Sequence, residues 1–174
     1  MAYIIVGGNT LAFAEYSDVT DRDQRLFEAN EGIANEAQIE DFTERATTKI
    51  LYLIKDTSWW KTYYLSQSGS GTVYNTSNGF IDVPVPSANK FIGRQQDWTD
   101  LCVYITLYEY VLPKIADFSN EDNAEYRKIG FYKEKFDSLF AQLIAAGDWY
   151  DFEGTGTITD SEKAPTVVNL VRIR

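Results

Sequence analysis

The chemistry with recognisable spacing lies in one acidic loop, Asp151-Phe-Glu-Gly-Thr-Gly-Thr-Ile-Thr-Asp-Ser-Glu162. Set against the calcium loop of an EF-hand, Asp151 falls at position 1, Glu153 at 3, Thr155 at 5, Thr157 at 7 and Glu162 at 12. Gly156 takes position 6, where the chain must turn sharply, and Ile158 takes position 8. Oxygen donors at these intervals, closed by a carboxylate able to bind through both oxygens, suit a hard cation. Calcium held by Asp151, Glu153, Thr155, Thr157 and Glu162 is therefore one expectation. The fit is degenerate: Glu153 is longer than the Asp favoured there, Thr155 is neutral, and Pro165 denies the loop its exit helix. The other reading is a loop closed by its own hydrogen bonds, with Ile158 anchored in the core.

Other chemistry is thin. The chain has no histidine, which removes the commonest general base and transition-metal ligand. Its one cysteine, Cys102, lies between Leu101 and Val103 and reads as a small buried hydrophobe. With 26 acidic residues, carboxylate pairs arise by chance, so none marks a glycosidase dyad. Gly7-Gly8 and Gly69-Ser-Gly-Thr72 lack both a phosphate-binding lysine and the GxGxxG pattern, and Gly7-Gly8 reads as a turn. Trp59, Trp60, Tyr63 and Tyr64 share a short helical stretch. They could form a sugar-binding platform or an interface hot spot, or plug the core. The expectation is no enzyme, and no cofactor beyond calcium.

Composition narrows the class. A net charge of −10 excludes nucleic-acid phosphate binding as a main role, because that rests on clustered Lys and Arg. A hydrophobic share of 44% with 15% aromatics argues for a folded core, and 174 residues suit one domain. One cysteine allows no internal disulfide. The opening residues lack a basic segment and a long apolar run, and no stretch nears the roughly 20 apolar residues of a membrane span. The expectation is a protein made in the cytoplasm, with no membrane partner.

The elements that must position the loop are mostly helical. Tyr3 to Val6 and Leu11 to Phe13 flank the glycine pair as a short hairpin. Asp18 opens a charged helix over Val19 to Ala29. Asn35 with Gln38 forms a capping box for a stripe of Ile39, Phe42, Ala46, Ile50, Leu53 and Ile54. Ser58 caps the aromatic helix. Residues 66–96 form a non-helical insert, with a β-hairpin of Thr72 to Tyr74 and Phe80 to Val83. Asp97 caps the next helix, which Pro113 kinks or ends. The longest helix runs from Ser119, its N-cap, with Glu121 and Asp122 in the first turn, to Ala146, and breaks at Gly147. Its apolar face is Tyr126, Ile129, Tyr132, Phe136, Leu139, Phe140, Leu143 and Ile144, and its length roughly 40 Å. After Pro165, residues 166–174 are β-prone and suit strand addition to a partner or packing on their own domain. The predicted fold is mainly α: a small helical bundle over 1–165 with a β-hairpin insert, and an extended C-terminal arm over 166–174.

Several stretches resemble the head-to-tail connector proteins of tailed bacteriophages, the adaptor or neck proteins beneath the portal. They are Asp23-Gln-Arg-Leu-Phe-Glu-Ala-Asn30, Glu44-Arg-Ala-Thr-Thr-Lys-Ile-Leu51 leading to Ser58-Trp-Trp60, Asp97-Trp-Thr-Asp-Leu-Cys-Val-Tyr104 with Leu107-Tyr-Glu-Tyr-Val-Leu-Pro113, and Asp148-Trp-Tyr-Asp151. The resemblance implies a structural virion protein of the portal vertex, one subunit of an adaptor ring of commonly about twelve copies. It implies three partners: the portal protein, neighbouring copies, and a downstream neck or tail protein. DNA would pass through the lumen without sequence-specific binding. Such adaptors often carry an arm that enters the portal and a loop that reaches a neighbour. Val167, Val168, Leu170, Val171, Arg172, Ile173 and Arg174 are the candidates for the first role, and Tyr74, Phe80 and Ile81 for the second.

Overall fold

The computed structural model describes residues 3–30, 33–67, 74–75, 80–81, 83–120, 123–160 and 162–163. The chain is mainly helical, and among the described residues there are two short antiparallel strand pairs. β1 (Ile4–Val6) pairs with β2 (Asn9–Ala12) across Gly7 and Gly8, both at positive φ (59° and 83°). A two-residue turn needs that geometry to match the strand twist, and glycine reaches it without strain. The return strand stops at Ala12, not Phe13, because Phe13 leaves the sheet for the core. Its N–H donates to Thr47 Oγ1 (3.0 Å) and its carbonyl accepts from Thr99 Oγ1 (2.7 Å).

The single charged helix expected over Val19 to Ala29 is two: α1 (Tyr16–Arg22) and α2 (Gln24–Ala29). Asp23 divides them. Its carboxylate caps α2 by accepting from the Leu26 N–H (3.3 Å), and also holds Lys128 Nζ (2.7 Å) and the Tyr132 hydroxyl (3.2 Å). α3 (Glu36–Asp56) starts at the capping box foreseen, Gln38 N–H to Asn35 Oδ1 (2.9 Å) and Asn35 N–H to Gln38 Oε1 (3.1 Å). Ile39, Ala46, Ile50 and Ile54 are buried, whereas Phe42 and Leu53 sit at the margin of the stripe. Thr57, not Ser58, starts α4 (Ser58–Gln67): its hydroxyl oxygen accepts from the Trp60 N–H (3.2 Å) while donating back to the Ile54 carbonyl (2.7 Å). One side chain thus closes α3 and opens α4.

β3 (Tyr74–Asn75) pairs with β4 (Phe80–Ile81) in the foreseen place, and Thr72, Val73 and Asp82 lie outside the described residues. Beyond it the chain is core rather than appendage. Val83 and Phe91 are buried, Ala88–Lys90 forms a 3-10 turn, and Phe91 bridges to Tyr150. Helicity resumes at α5 (Gln95–Ile105), two residues before Asp97. Arg94 precedes it in the left-handed conformation (φ 53°) with no side-chain cap, and Asp97 sits within the first turn, its carboxylate 3.2 Å from Arg94 Nε. α5 widens into a π-helical segment, Thr106–Val111, and ends in a 3-10 turn, Leu112–Lys114, containing Pro113. Proline offers no N–H to continue the ladder.

α6 (Ala124–Ala146) starts four residues later than the Ser119 cap implied. Ser119 instead turns back on Asp117, donating both its hydroxyl (2.6 Å) and its N–H (2.9 Å) to Oδ1. Asn123 caps the helix through the Tyr126 N–H (2.9 Å), and Glu121 and Asp122 lie outside the described residues. Tyr132, Phe136 and Leu143 are buried against α5, the π segment and the turn after it, while Tyr126 lies off the stripe and is largely exposed. Gly147 ends α6 at φ 62°, its N–H on the Leu143 carbonyl. A Cβ there would stand 2.7 Å from the Lys163 carbonyl and 3.0 Å from Trp59 Nε1, so both conformation and space demand glycine.

Candidate functional site

The loop after α6 is a closed corner built around two buried carboxylates. Asp151 is 3% exposed and Glu162 2%. Asp151 Oδ1 accepts from the N–H groups of Gly154 (2.6 Å) and Thr155 (3.1 Å), and Oδ2 from Gly156 (2.7 Å). Glu162 Oε1 accepts from the Glu153 N–H (2.9 Å), and Oε2 from both the N–H (2.7 Å) and hydroxyl (2.9 Å) of Thr159. The two ends of the loop are therefore pinned to its middle by backbone donors. Gly154 and Gly156 take positive φ (73° and 79°), which aims those N–H groups inward. Thr155 and Thr157 meet at the exposed rim, where Thr155 Oγ1 donates to the Thr157 carbonyl (2.9 Å). Ile158 is half-buried, its terminal methyl against Gly93.

Burial alone would raise both carboxyl pKa values, yet both are lowered. For Asp151 the N–H groups of Gly156, Thr155 and Gly154, with the Lys90 ammonium, outweigh desolvation. For Glu162 the donors are the N–H groups of Thr159 and Glu153, the Thr159 hydroxyl and the Phe152 N–H. The ionised form of each is what the fold stabilises.

This arrangement bears on the calcium expectation. Of its five residues, Asp151 and Glu162 are buried in the corner, Thr155 and Thr157 lie at its rim, and Glu153 is exposed. The lone pairs a cation would use on Asp151 and Glu162 face N–H donors instead, so a calcium ion would have to displace them. Among the described residues no three His, Cys, Asp or Glu side chains converge on one metal position.

The corner rests on an aromatic cluster. Trp149 packs on Trp59 (4.7 Å between ring centroids), Trp98 (4.6 Å) and Phe91 (5.1 Å), and Trp60 meets Tyr150 edge-on at 5.0 Å and stacks on Phe152 at 5.5 Å. Two of the polar tips find carbonyls, Trp149 Nε1 donating to Leu143 (2.7 Å) and Trp60 Nε1 to Pro84 (2.8 Å), while the buried Nε1 atoms of Trp59 and Trp98 make no hydrogen bond among the described residues. Trp59, Trp60 and Tyr63 are each no more than 7% exposed, which overturns the sugar-platform expectation, since stacking on a sugar needs an open face. The side chain of Tyr64 lies outside the described residues.

The partners that sequence reading missed come from residues 88–94. The Asp151 N–H donates to the Lys90 carbonyl (2.9 Å), Lys90 Nζ to the Phe152 carbonyl (2.9 Å), and the Gly93 N–H to the Trp149 carbonyl (3.1 Å). A Cβ on Gly93 would meet the Asp148 carbonyl at 2.5 Å, which explains that glycine. No spacing rule links positions so far apart along the chain. Cys102 is fully buried as foreseen, beside Thr47 Oγ1 and the Thr43 carbonyl, and burial pushes its thiol up to about 12. Of the candidate interaction residues, Tyr74, Phe80 and Ile81 place their backbone in the β3–β4 hairpin, and Val167, Val168, Leu170, Val171, Arg172, Ile173 and Arg174 lie outside the described residues.

Compared with known proteins, the chain matches no family model, no curated relative and no solved structure at a significant level. No helix among the described residues is long and apolar enough to cross a membrane.

Proposed function

We propose that this chain is a structural adaptor of a tailed bacteriophage, one subunit of a ring that joins the portal to the neck or tail. One observation carries the reading: the connector-like stretches meet in one place. Ala46 and Thr47, Trp59 and Trp60, Trp98, Leu101 and Cys102, and Trp149 to Asp151 come from four separate stretches and are all buried. Trp59 and Trp98 each pack on Trp149. That buried members of these stretches share one core supports the reading, although of Asp23–Asn30 only Leu26 is buried.

The corner supplies a fixed root for an arm. It turns the chain back so that the Lys163 carbonyl stands beside the C-cap of α6. From there residues 166–174 would reach the portal, with Val167, Val168, Leu170, Val171 and Ile173 as the apolar contacts and Arg172 and Arg174 as the cationic ones. Tyr74, Phe80 and Ile81 would reach a neighbouring copy. A net charge of −10 suits a lumen that DNA must traverse without sticking. In this role the protein performs no catalysis.

Deleting residues 166–174 tests the arm. The truncated chain should keep its circular dichroism and lose capture by purified portal, and undiminished capture sinks the arm. Electron microscopy of purified particles tests the role itself. The chain should occupy the neck, and a neck built wholly of other proteins removes the reading.

A further inference from the structure

The shoulder formed by α1 and α2 holds an open groove of about 430 Å³, lined by Tyr16, Thr20, Asp21, Gln24, Phe27 and Glu28. Tyr16 and Phe27 are half-buried and form an apolar floor, while Asp21 and Glu28 are exposed at its edge. The cations that come near are engaged elsewhere: Arg22 pairs with Asp100 and lies over the Tyr104 ring (5.2 Å), and Lys128 pairs with Asp23. Arg25 is exposed on α2 and is not part of the lining. A groove with an apolar floor and an acidic edge fits a segment that carries aliphatic side chains beside cations.

Such a segment is present in this chain. Residues 166–174 hold Arg172, Arg174 and no acidic residue, in a protein of net charge −10. Read as a strand, they place Val168, Leu170, Arg172 and Arg174 on one face, with the two arginines about 7 Å apart along it. We infer that residues 166–174 of one copy dock in the α1–α2 groove of another, Leu170 on Tyr16 and Phe27 and the two arginines on Asp21 and Glu28. Reach selects a second copy over the same chain. Tyr16 borders Glu36 and Glu40 in the first turns of α3, whereas Trp59 follows the far end of that helix and stands with the Lys163 carbonyl against Gly147. α3 is roughly 30 Å long, and residues 164 to 170 span about 24 Å at full extension. That leaves no slack for passing round the bundle, and a second copy is under no such limit. Because segment and groove are different surfaces, repetition of the contact builds a ring or an open filament. The groove would hold the arm until a portal takes it, and the contact itself does not require the portal role.

Crosslinking between two singly substituted chains tests the docking. Asn169→Cys puts a thiol in the segment and Gln24→Cys one in the groove; Gln24 is exposed, and Cys102 is fully buried and does not compete. With a short bismaleimide, this pair should couple about tenfold faster or more than Asn169→Cys with Thr48→Cys, an exposed position on α3, because docked thiols meet at high effective concentration. Adding salt to about 0.5 M should remove most of that advantage by screening the edge charges. Asp21→Lys with Glu28→Lys on the groove chain, with unchanged circular dichroism, should abolish the advantage, and Arg172→Glu with Arg174→Glu on the other chain should restore it. A chain carrying both cysteines should give linked dimers and longer ladders. Coupling no faster than the control, a charge swap that fails to restore it, or closure of the double-cysteine chain on itself overturns the inference. Portal capture is read separately: its loss with crosslinking intact removes the portal role alone, and the converse removes this contact alone.

Discussion

The Asp151–Glu162 corner and the aromatic cluster beneath it adjoin, yet different forces hold them. The corner is closed by directional bonds from backbone N–H groups to two carboxylates. The cluster around Trp149 is closed by area and shape, with two indole N–H groups the main polar accents. Charge-assisted hydrogen bonds are strong but depend on ionisation, whereas apolar burial is indifferent to pH. Stability that depends on acid should therefore sit in the corner, and stability that depends on volume should sit in the cluster.

The largest break in that contrast is Trp149→Ala. It empties a site with no solvent exposure and removes one of the two donors to the Leu143 carbonyl, and should cost about 4 kcal/mol in urea unfolding. Its loss should stay constant between neutral and acid pH. A loss that shrinks in acid would show that the cluster and corner do not act separately.

Gly147→Ala strikes the joint between the two regions. The added Cβ would press on the Lys163 carbonyl on the corner side and on Trp59 on the cluster side, at a φ that disfavours alanine. A loss of about 2 kcal/mol or more is expected, measured in the same way. A neutral substitution would mean that Lys163 does not rest on the α6 terminus.

Asp151→Asn should cost about 2 kcal/mol at neutral pH, by leaving an N–H donor facing the new amide. The lowered folded pKa fixes the sign of its pH dependence. The carboxylate's contribution is complete above the ordinary Asp value and fades as pH falls through the lowered one. The stabilities of wild type and D151N should thus converge in acid, while those of wild type and W149A run parallel. Parallel curves for D151N would place the stabilising interaction outside the ionised carboxylate.

The smallest effect concerns calcium. With the oxygens of Asp151 and Glu162 turned onto N–H groups, millimolar calcium against chelator should leave Tm unchanged. A rise of several degrees would restore the cation reading of Glu153, Thr155 and Thr157, since an ion bound only by the native chain must stabilise it.

Much of this was legible in the residues. The 3.6-residue stripe in α3, the Asn35–Gln38 box, the turn at Gly7-Gly8 and the stop at Gly147 are local patterns and appear where they should. The errors cluster at helix starts: Ser119 for Asn123, Ser58 for Thr57, and Asp97 for a start after Arg94. Ser, Asn, Asp and Thr all make good caps, and several stand close together at the first two of these boundaries, whereas at the third the cap position is Arg94, which has no capping side-chain bond to betray it. Which one serves depends on where packing sets the end of the helix. Asp23 shows the same limit: its charge marked a helix surface, and only Lys128 and Tyr132, brought alongside by α6, made it the break between α1 and α2.

The acidic loop that offered the clearest chemistry shows where the division lies. By itself the sequence determined that this segment follows a long helix, turns on glycines and places Asp and Glu at its two ends, because conformational preference and spacing are local. Only the tertiary structure decided what those carboxylates do. Residues 88–94 dock against Trp149, Tyr150 and Phe152 and bury the loop's base, and a buried carboxylate must be matched by donors. The nearest donors are the loop's own N–H groups, so residues spaced like metal ligands became the pins of a corner.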